Sequence, residues 1–272
     1  MDQPADVPAG RRAHQPGPAL SWVETTSPHF TARHEEADDE DVVGVLELLE
    51  GTRERLGEAF HQLPDHVAVV VHPTPFALSL AQPYLPIIRR LTAPAARRYL
   101  VGWFQHDEIH VLAPRALEAR ASSVPGSREM NLLAPAALYT QLALGASSER
   151  LPPPFRPATF VRYVRWAWLA AGAAQYFSGQ TAFARPAIAR RLREGAEPSF
   201  PPGIRDAQLL GGTVVDLLAR EQGEQEAVRL AIELDPDGPR KALVNAFGGR
   251  PLAHTERTWR AHLANIAAAP PR

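Results

Sequence analysis

The sequence predicts an α+β protein, with a small mixed sheet and its helices in the N-terminal part and mostly helices in the C-terminal part. Segments with strand character all lie before residue 114, and helical periodicity dominates afterwards. With 272 residues, 45% of them hydrophobic, the chain can bury a sizeable core, and the absence of cysteine excludes a disulfide framework. We expect one domain over residues 22–270, divided into an α/β lobe (22–145) and a helical lobe (146–270).

Residues 1–21 contain four prolines and no apolar run long enough for a signal peptide, so we expect a disordered lead. The most hydrophobic run, Trp166–Ala174, falls well short of the roughly 20 residues that cross a bilayer. The 29 basic and 30 acidic residues balance, which argues against attraction of nucleic acid or a membrane by bulk charge. We therefore expect no membrane anchor, no nucleic-acid partner and, by default, a cytoplasmic protein.

The first predicted elements are a strand and a helix. In His29–Glu35, apolar or aromatic residues alternate with polar ones, as in a half-buried strand. The acidic run Glu35–Asp41 suits the positive end of a helix dipole, whereas a calcium loop would need a glycine and a distal glutamate that it lacks. Apolar residues at helical spacing then predict one buried stripe, which consists of Val42, Val45, Leu46, Leu49, Leu56 and Phe60.

A second strand and a hairpin complete the predicted sheet. Val67–His72 is β-branched on both faces, which is typical of an interior strand. Pro83 and Pro86 then predict short helical pieces. Tyr99–Phe104 and Ile109–Ala113 predict two antiparallel strands joined by a tight turn at 105–108, directly before the first central helix, Asn131–Gly145.

Two almost wholly apolar segments, Asn131–Gly145 and Thr159–Gly179, predict the buried central helices. Thr159 is the predicted N-cap of the second helix, and Gly179 is its predicted C-cap. A proline-rich connection, 145–157, joins the two helices.

Helices alone are predicted after Gly179. Two glycines, Gly211 and Gly212, stand inside one of them and cost about 1 kcal/mol each relative to alanine, which we expect to be offset by the close approach of another backbone. Gly223, Gly238 and Gly248 fall where helices must end. The predicted helices cover residues 186–194, 206–222, 224–234, 239–247 and 255–268.

The string WLAAGAAQYFSG at Trp168–Gly179, which follows an apolar helix, resembles the peptidase MA-like, gluzincin-type zinc metallopeptidases. The string ERTWRAHL at Glu256–Leu263 also resembles the end of that family, so the resemblance covers about residues 22–268. It implies a zincin-like fold with an HExxH motif on the first central helix and a glutamate ligand in a WLxEGxAEY-like run on the second. It also implies that the last strand of the hairpin is the sheet edge along which an extended peptide lies.

The family pattern, set on this chain, finds no zinc ligands. Ala137 and Leu138 stand where the first histidine and the glutamate of HExxH belong, Gln141 stands at the second histidine, and Ala171 stands at the downstream glutamate. None of these side chains is an imidazole, thiolate or carboxylate, as zinc requires. The chain has no histidine between residues 110 and 254 that a shift of register could use. We therefore expect a metallopeptidase homologue without metal, cofactor or catalytic residues.

Such a pseudoenzyme is expected to have a binding or structural role, with a peptide or protein segment as the partner in the former cleft. The candidate lining residues are Tyr139, Gln141, Tyr163 and Gln175, whose amide and phenol groups bind a peptide without attacking it. The alternative is that Tyr139 and Gln141 only fill the space of the lost zinc.

The alternative function is that of a working hydrolase. On a strand, His106, Glu108 and His110 would point the same way, and two imidazoles with a carboxylate can hold a metal. Against this site, Glu108 falls among the predicted turn residues. An unrelated serine-hydrolase site is not indicated, because the sequence has no GxSxG elbow.

Overall fold

A computed structural model describes residues 22–148, 150–152 and 156–268. The predicted lead over 1–21 and part of the proline-rich connection lie outside the described residues. The elements in chain order are β1 (Trp22–Thr26), β2 (Phe30–Glu35), α1 (Asp39–Gly57), β3 (Val67–His72), α2 (Pro75–Ala81), α3 (Tyr84–Leu91), α4 (Pro94–Arg97), β4 (Gly102–Gln105), β5 (Glu108–Leu112), α5 (Pro114–Arg120), α6 (Ser127–Leu132), α7 (Ala134–Ser147), α8 (Pro157–Arg165), α9 (Ala167–Phe177), α10 (Arg185–Arg193), α11 (Ile204–Gln222), α12 (Glu224–Ile232), α13 (Pro239–Ala246) and α14 (Leu252–Ala268).

The described chain is a mixed, mainly helical structure with one five-stranded sheet, which confirms the predicted α+β class. The strand order is β1-β2-β3-β5-β4, and the three inner strands are parallel while each edge strand is antiparallel to its neighbour. The prediction that β3 is an interior strand is confirmed. Strand β1 was not predicted, because none of its residues is buried and its sequence carries no core pattern.

The hairpin forms as predicted, but its edge strand in the sheet is β4 and not β5. Strand β5 pairs with β3 on one side and with β4 on the other, so β4 is the edge. The expectation that 109–113 forms the free edge of the sheet is therefore wrong, because the parallel pairing with β3 is made by the second strand of the hairpin. Helices α5 and α6 also separate the hairpin from α7, which contradicts the predicted direct connection.

Helix α1 buries the predicted stripe. All five apolar residues of the stripe that lie within α1 are buried, and Phe60, just beyond its end, is buried too. The helix packs against β2 and against α7. This packing fixes the first central helix relative to the sheet.

Both central helices are shorter than predicted. The first is interrupted at Leu133, so that α6 and α7 are separate. The second is interrupted at Trp166, whose backbone lies at φ −107° and ψ 16°, between α8 and α9. Helix α8 begins at Pro157, since proline is favoured in a first turn. Thr159 is therefore not the N-cap, and its hydroxyl instead accepts a 2.7 Å hydrogen bond from the Arg156 backbone N–H.

The predicted C-terminal helices all form, within a few residues of their expected ends. Gly179, Gly223 and Gly248 follow helix ends with φ between 67° and 95°, where a side chain would be strained. The prediction that Gly238 ends a helix is wrong, because it lies six residues after the end of α12 and directly before α13. Within the described residues, no helix is both long enough and apolar enough to span a membrane.

A close helix crossing explains Gly211 of α11, whereas Gly212 faces the side chains of Thr181 and Gln175. A Cβ atom on Gly211 would lie 2.9 Å from the Cα of Gly172 in α9, and one on Gly172 would lie 2.8 Å from the Cα of Gly211. The expected approach of another backbone is thus confirmed for Gly211 but not for Gly212. The crossing holds α9 against α11 at the level of the candidate site.

Candidate functional site

A small cavity lies between the edge strand β4 and the helices α7, α9 and α11. Its wall includes Ala137, Leu138 and Gln141 from α7 and Ala171 from α9. The structure therefore brings together, around one cavity, all four positions that the family pattern assigns to the zinc ligands and the general base. Tyr163 of α8 also lines the cavity.

Helix geometry explains this arrangement. Residues 137 and 141 are four apart in α7 and share one face, and residue 138 lies beside that face. Strand β4 packs directly onto it, because a Cβ atom on Gly102 would lie 2.5 Å from the side chain of Leu138 and 2.5 Å from the His110 carbonyl oxygen. The glycine in β4 thus permits a close approach of sheet and helix at this point.

Two polar side chains of the cavity wall, Tyr163 and Gln141, bond to each other. The Tyr163 hydroxyl donates a hydrogen bond to Gln141 Oε1 at 3.3 Å. The Tyr163 ring meets Trp103 of β4 edge-on, with 6.4 Å between the centroids. Burial raises the pKa of Tyr163 to about 12, so the phenol stays protonated near neutral pH. A neutral amide paired with a neutral phenol offers no general base for hydrolysis.

The cavity itself has a volume of about 50 Å³. Ligand pockets usually measure about 300–1,000 Å³, whereas a single water needs about 10–15 Å³ on this scale. Residues Gly102, Trp103 and Phe104 of β4 are buried. A peptide would therefore have to displace parts of the wall to enter this cavity, which has room for only a few waters.

Two predicted lining residues lie elsewhere. Tyr139 is fully buried, with its ring 5.0 Å from Phe30 and its hydroxyl donating to the Pro64 carbonyl at 3.1 Å. Since it lies two positions from both 137 and 141 on one helix, it must point away from the cavity. The Gln175 amide donates to the carbonyl of Gln208 in α11 and stabilises the helix crossing. Helical spacing alone could have removed Tyr139 from the candidates.

The alternative metal site does not assemble. His106 is exposed in the two-residue turn of the hairpin, so it does not follow the alternation of the strands. Glu108 Oε2 lies 3.1 Å from His110 Nε2, and His110 Nδ1 lies 3.0 Å from His72 Nε2. Among the described residues, no three histidine, aspartate or glutamate side chains form a group that could hold a metal ion.

Sequence reasoning missed His72 as a partner in this cluster. It stands at the end of β3, and the parallel register with β5 sets its ring against that of His110, with 5.3 Å between centroids. Burial, and then the neighbouring His110, lower the pKa of His72 to about 4. Only the register of the sheet reveals this contact, because the two histidines are 38 residues apart.

A second cavity of about 520 Å³ lies among α6, α9, α11 and α14, and it contains an unpredicted acid–imidazole pair. His262 Nε2 lies 2.9 Å from Asp216 Oδ2, which also accepts from Arg220 Nε at 3.0 Å. Burial alone would raise the pKa of Asp216, but the bonds from His262 and Arg220 outweigh burial and lower it. The carboxylate is thus occupied by two donors. The hydroxyl of Ser178, the residue directly after α9, donates a hydrogen bond to the Gln175 carbonyl at 3.3 Å.

Comparisons with protein-family models, with curated proteins and with solved structures give no match to this chain. A functional class must therefore be argued from the cavity and from the residues that form it.

Proposed function

We propose that the protein is a zincin-like metallopeptidase homologue that has lost its metal, a pseudopeptidase with a protein-binding or structural role. One observation carries the proposal: Ala137, Leu138, Gln141 and Ala171 line a single cavity beneath the edge strand β4. Two ligands four apart on one helix, a third on a neighbouring helix and a base beside them is the arrangement that a hydrolytic zinc site needs.

The chemistry of the same positions supports the loss of activity. Two alanines and a leucine have no atoms that bind zinc, and the Gln141 amide is hydrogen-bonded to Tyr163. Without a metal-bound water or a carboxylate base, the site lacks both the nucleophile and the proton acceptor of peptide hydrolysis. Because the cavity is small, we favour a binding or structural role in which no peptide enters it.

Elemental analysis and a peptidase assay on the wild-type chain test this proposal together. After treatment with a chelator, exposure to zinc and dialysis, we expect no stoichiometric zinc and no cleavage of a fluorogenic casein substrate. Retention of about one zinc ion per chain, with cleavage that the chelator abolishes, would refute it. A preparation of thermolysin carried through the same steps controls for metal loss during dialysis.

A further inference from the structure

Helices α2 and α3 present large apolar side chains to solvent. In α2, Phe76 is 73% exposed and Leu80 is 68% exposed. In α3, Tyr84, Ile87 and Leu91 are 60%, 56% and 50% exposed. These five residues recur at helical spacing within each helix, and the two helices contact each other. We call them the α2–α3 surface.

The cluster differs from the scattered apolar residues found on any protein surface. Eleven large hydrophobic residues of the described chain are exposed, and five of them fall within positions 76–91. The other faces of these helices are buried through Leu78, Leu85 and Ile88. Each helix therefore buries one apolar face against the core. Each also carries apolar side chains on its outer face, and no described residue covers them.

The helices are held so that this stripe stays outside. Thr74 caps α2 by accepting a 3.1 Å hydrogen bond from the Ala77 N–H. The buried Gln82, between the helices, accepts from Gln105 of β4 at 2.8 Å. Arg89 donates two hydrogen bonds to the Leu100 carbonyl, at 3.1 and 2.7 Å. A rotation that turned the stripe inward would break all of these contacts.

The charge around the surface is positive. Between Asp65 and Asp107 the sequence has no aspartate or glutamate but four arginines, at positions 89, 90, 97 and 98. Arg90 and Arg97 are exposed. Helix α10 packs against α4 and adds the exposed Arg193, while its Arg190 is ion-paired with Glu194.

Three carboxylates flank this region: Glu194, directly after α10, and Asp107 and Glu108 of the hairpin, of which Glu108 lies 3.1 Å from His110. Glu194 bonds to Arg190 at 3.1 Å and accepts from the Ala95 N–H at 3.2 Å. The near-zero net charge of the whole chain therefore conceals a local cationic region beside exposed apolar side chains.

We propose that the α2–α3 surface binds the surface of an anionic phospholipid bilayer. Protruding aromatic and aliphatic side chains can enter the boundary of headgroups and acyl chains, while the arginines beside them pair with lipid phosphates. The inference is independent of the proposed loss of the zinc site.

Sedimentation of the full chain with vesicles tests the proposal. We expect binding to vesicles of phosphatidylcholine mixed with phosphatidylserine, weaker binding at high salt, and little binding to phosphatidylcholine alone. The variant Phe76→Ser/Leu80→Ser/Ile87→Ser should lower the partition coefficient at least about tenfold. Arg90→Gln/Arg97→Gln should lower it by about fivefold for each arginine.

The matched control is Val124→Ser/Val161→Ser, which removes exposed apolar side chains outside the α2–α3 surface and should leave binding unchanged. Circular dichroism should show that every variant stays folded, since all the altered residues are exposed. The proposal is overturned if the wild-type chain sediments with neither vesicle, or if the triple-serine variant binds as well as the control. Light scattering that shows a wild-type dimer, lost in the triple-serine variant, would also overturn it by assigning the surface to a second copy.

Discussion

Gly172 of α9 and Gly211 of α11 meet backbone to backbone, and a Cβ on either residue would lie within 2.9 Å of the Cα of the other. Helix α9 carries Ala171, so this contact fixes that residue relative to α11, which also lines the cavity. The crossing therefore stabilises the core and also fixes the relative position of two helices that line the candidate site.

Gly211→Ala should destabilise the protein by about 2 kcal/mol or more, because overpacking outweighs the roughly 1 kcal/mol that alanine gains in a helix. Gly44→Ala is the matched control, since nothing lies within 4 Å of a Cβ at this position of α1. It should stabilise by about 0.5–1 kcal/mol. Urea denaturation measures both changes, and equal effects of the two alanines would contradict the backbone contact.

The buried ion pair between Arg191 and Asp206 should be a second determinant of stability. Arg191 is 2% exposed, and it donates to the carboxylate through Nε at 2.5 Å and Nη2 at 2.9 Å. The hydrogen bond to Asp206 raises the pKa of Arg191. A guanidinium is not deprotonated in proteins in any case, so the cation stays charged, buried and unpaired when its partner is removed. Asp206→Asn should therefore cost about 3–5 kcal/mol in the free energy of unfolding.

The exposed pair Arg229–Glu226 provides the control for that experiment. Glu226→Gln should change the free energy of unfolding by no more than about 0.5 kcal/mol. Arg191→Met/Asp206→Leu, which removes both charges, should recover much of the lost stability. Equal losses in the single and double variants would show that the cost does not come from an unpaired charge.

Stability should depend on pH through His72, which is 5% exposed. Its pKa of about 4 in the folded protein lies below the ordinary value of 6.5, so the unfolded chain binds a proton that the native state excludes. The free energy of unfolding should accordingly fall as the pH drops from 6.5 towards 4, by up to about 3 kcal/mol.

His72→Gln should flatten this dependence, because the glutamine cannot take up the proton. His106→Gln, in the exposed turn of the adjacent hairpin, should leave the slope as in the wild type. Chemical denaturation at several pH values measures the slopes. If the wild type and His72→Gln lost stability in parallel between pH 6.5 and 4, another group would have to be responsible.

Much of the fold is visible in the sequence because its signals are local. The stripe of α1 and the β-branched run of β3 specify their elements without reference to the rest of the chain. The two glycines in α11 predict the close approach of another backbone, since no other feature of the sequence offsets their cost in a helix. The spacing of residues 137 and 141 likewise fixes a shared face before any tertiary contact is known.

Other features depend on pairing between distant segments. Nothing local distinguishes which strand of the hairpin pairs with β3, so the edge was assigned to β5 instead of β4. The break at Trp166 has no proline or glycine nearby to signal it, since residues 158–171 contain neither. The contact between His72 and His110 requires the register of the sheet. The acid-free run between Asp65 and Asp107 was readable in advance, but only the packing shows which apolar residues stay exposed.

The central claim is that α7 and α9 retain the geometry of a zinc site whose ligands have been replaced. It is tested most directly by restoring them in Ala137→His/Leu138→Glu/Gln141→His/Ala171→Glu. The control lacks only Ala171→Glu and offers two protein ligands. As apo-protein the four-residue variant should be less stable than the wild type by several kcal/mol (about 2–7), because polar groups replace apolar ones in a closed cavity.

Thermal unfolding with and without zinc is the decisive measurement. At about 100 times the dissociation constant, zinc should stabilise the four-residue variant by about 2.7 kcal/mol and raise its melting temperature by about 5–10 °C. The three-residue control should gain less, and the wild type should not change. A four-residue variant that stays folded and melts at the same temperature with and without zinc would contradict the assignment of these residues and the pseudopeptidase proposal with it.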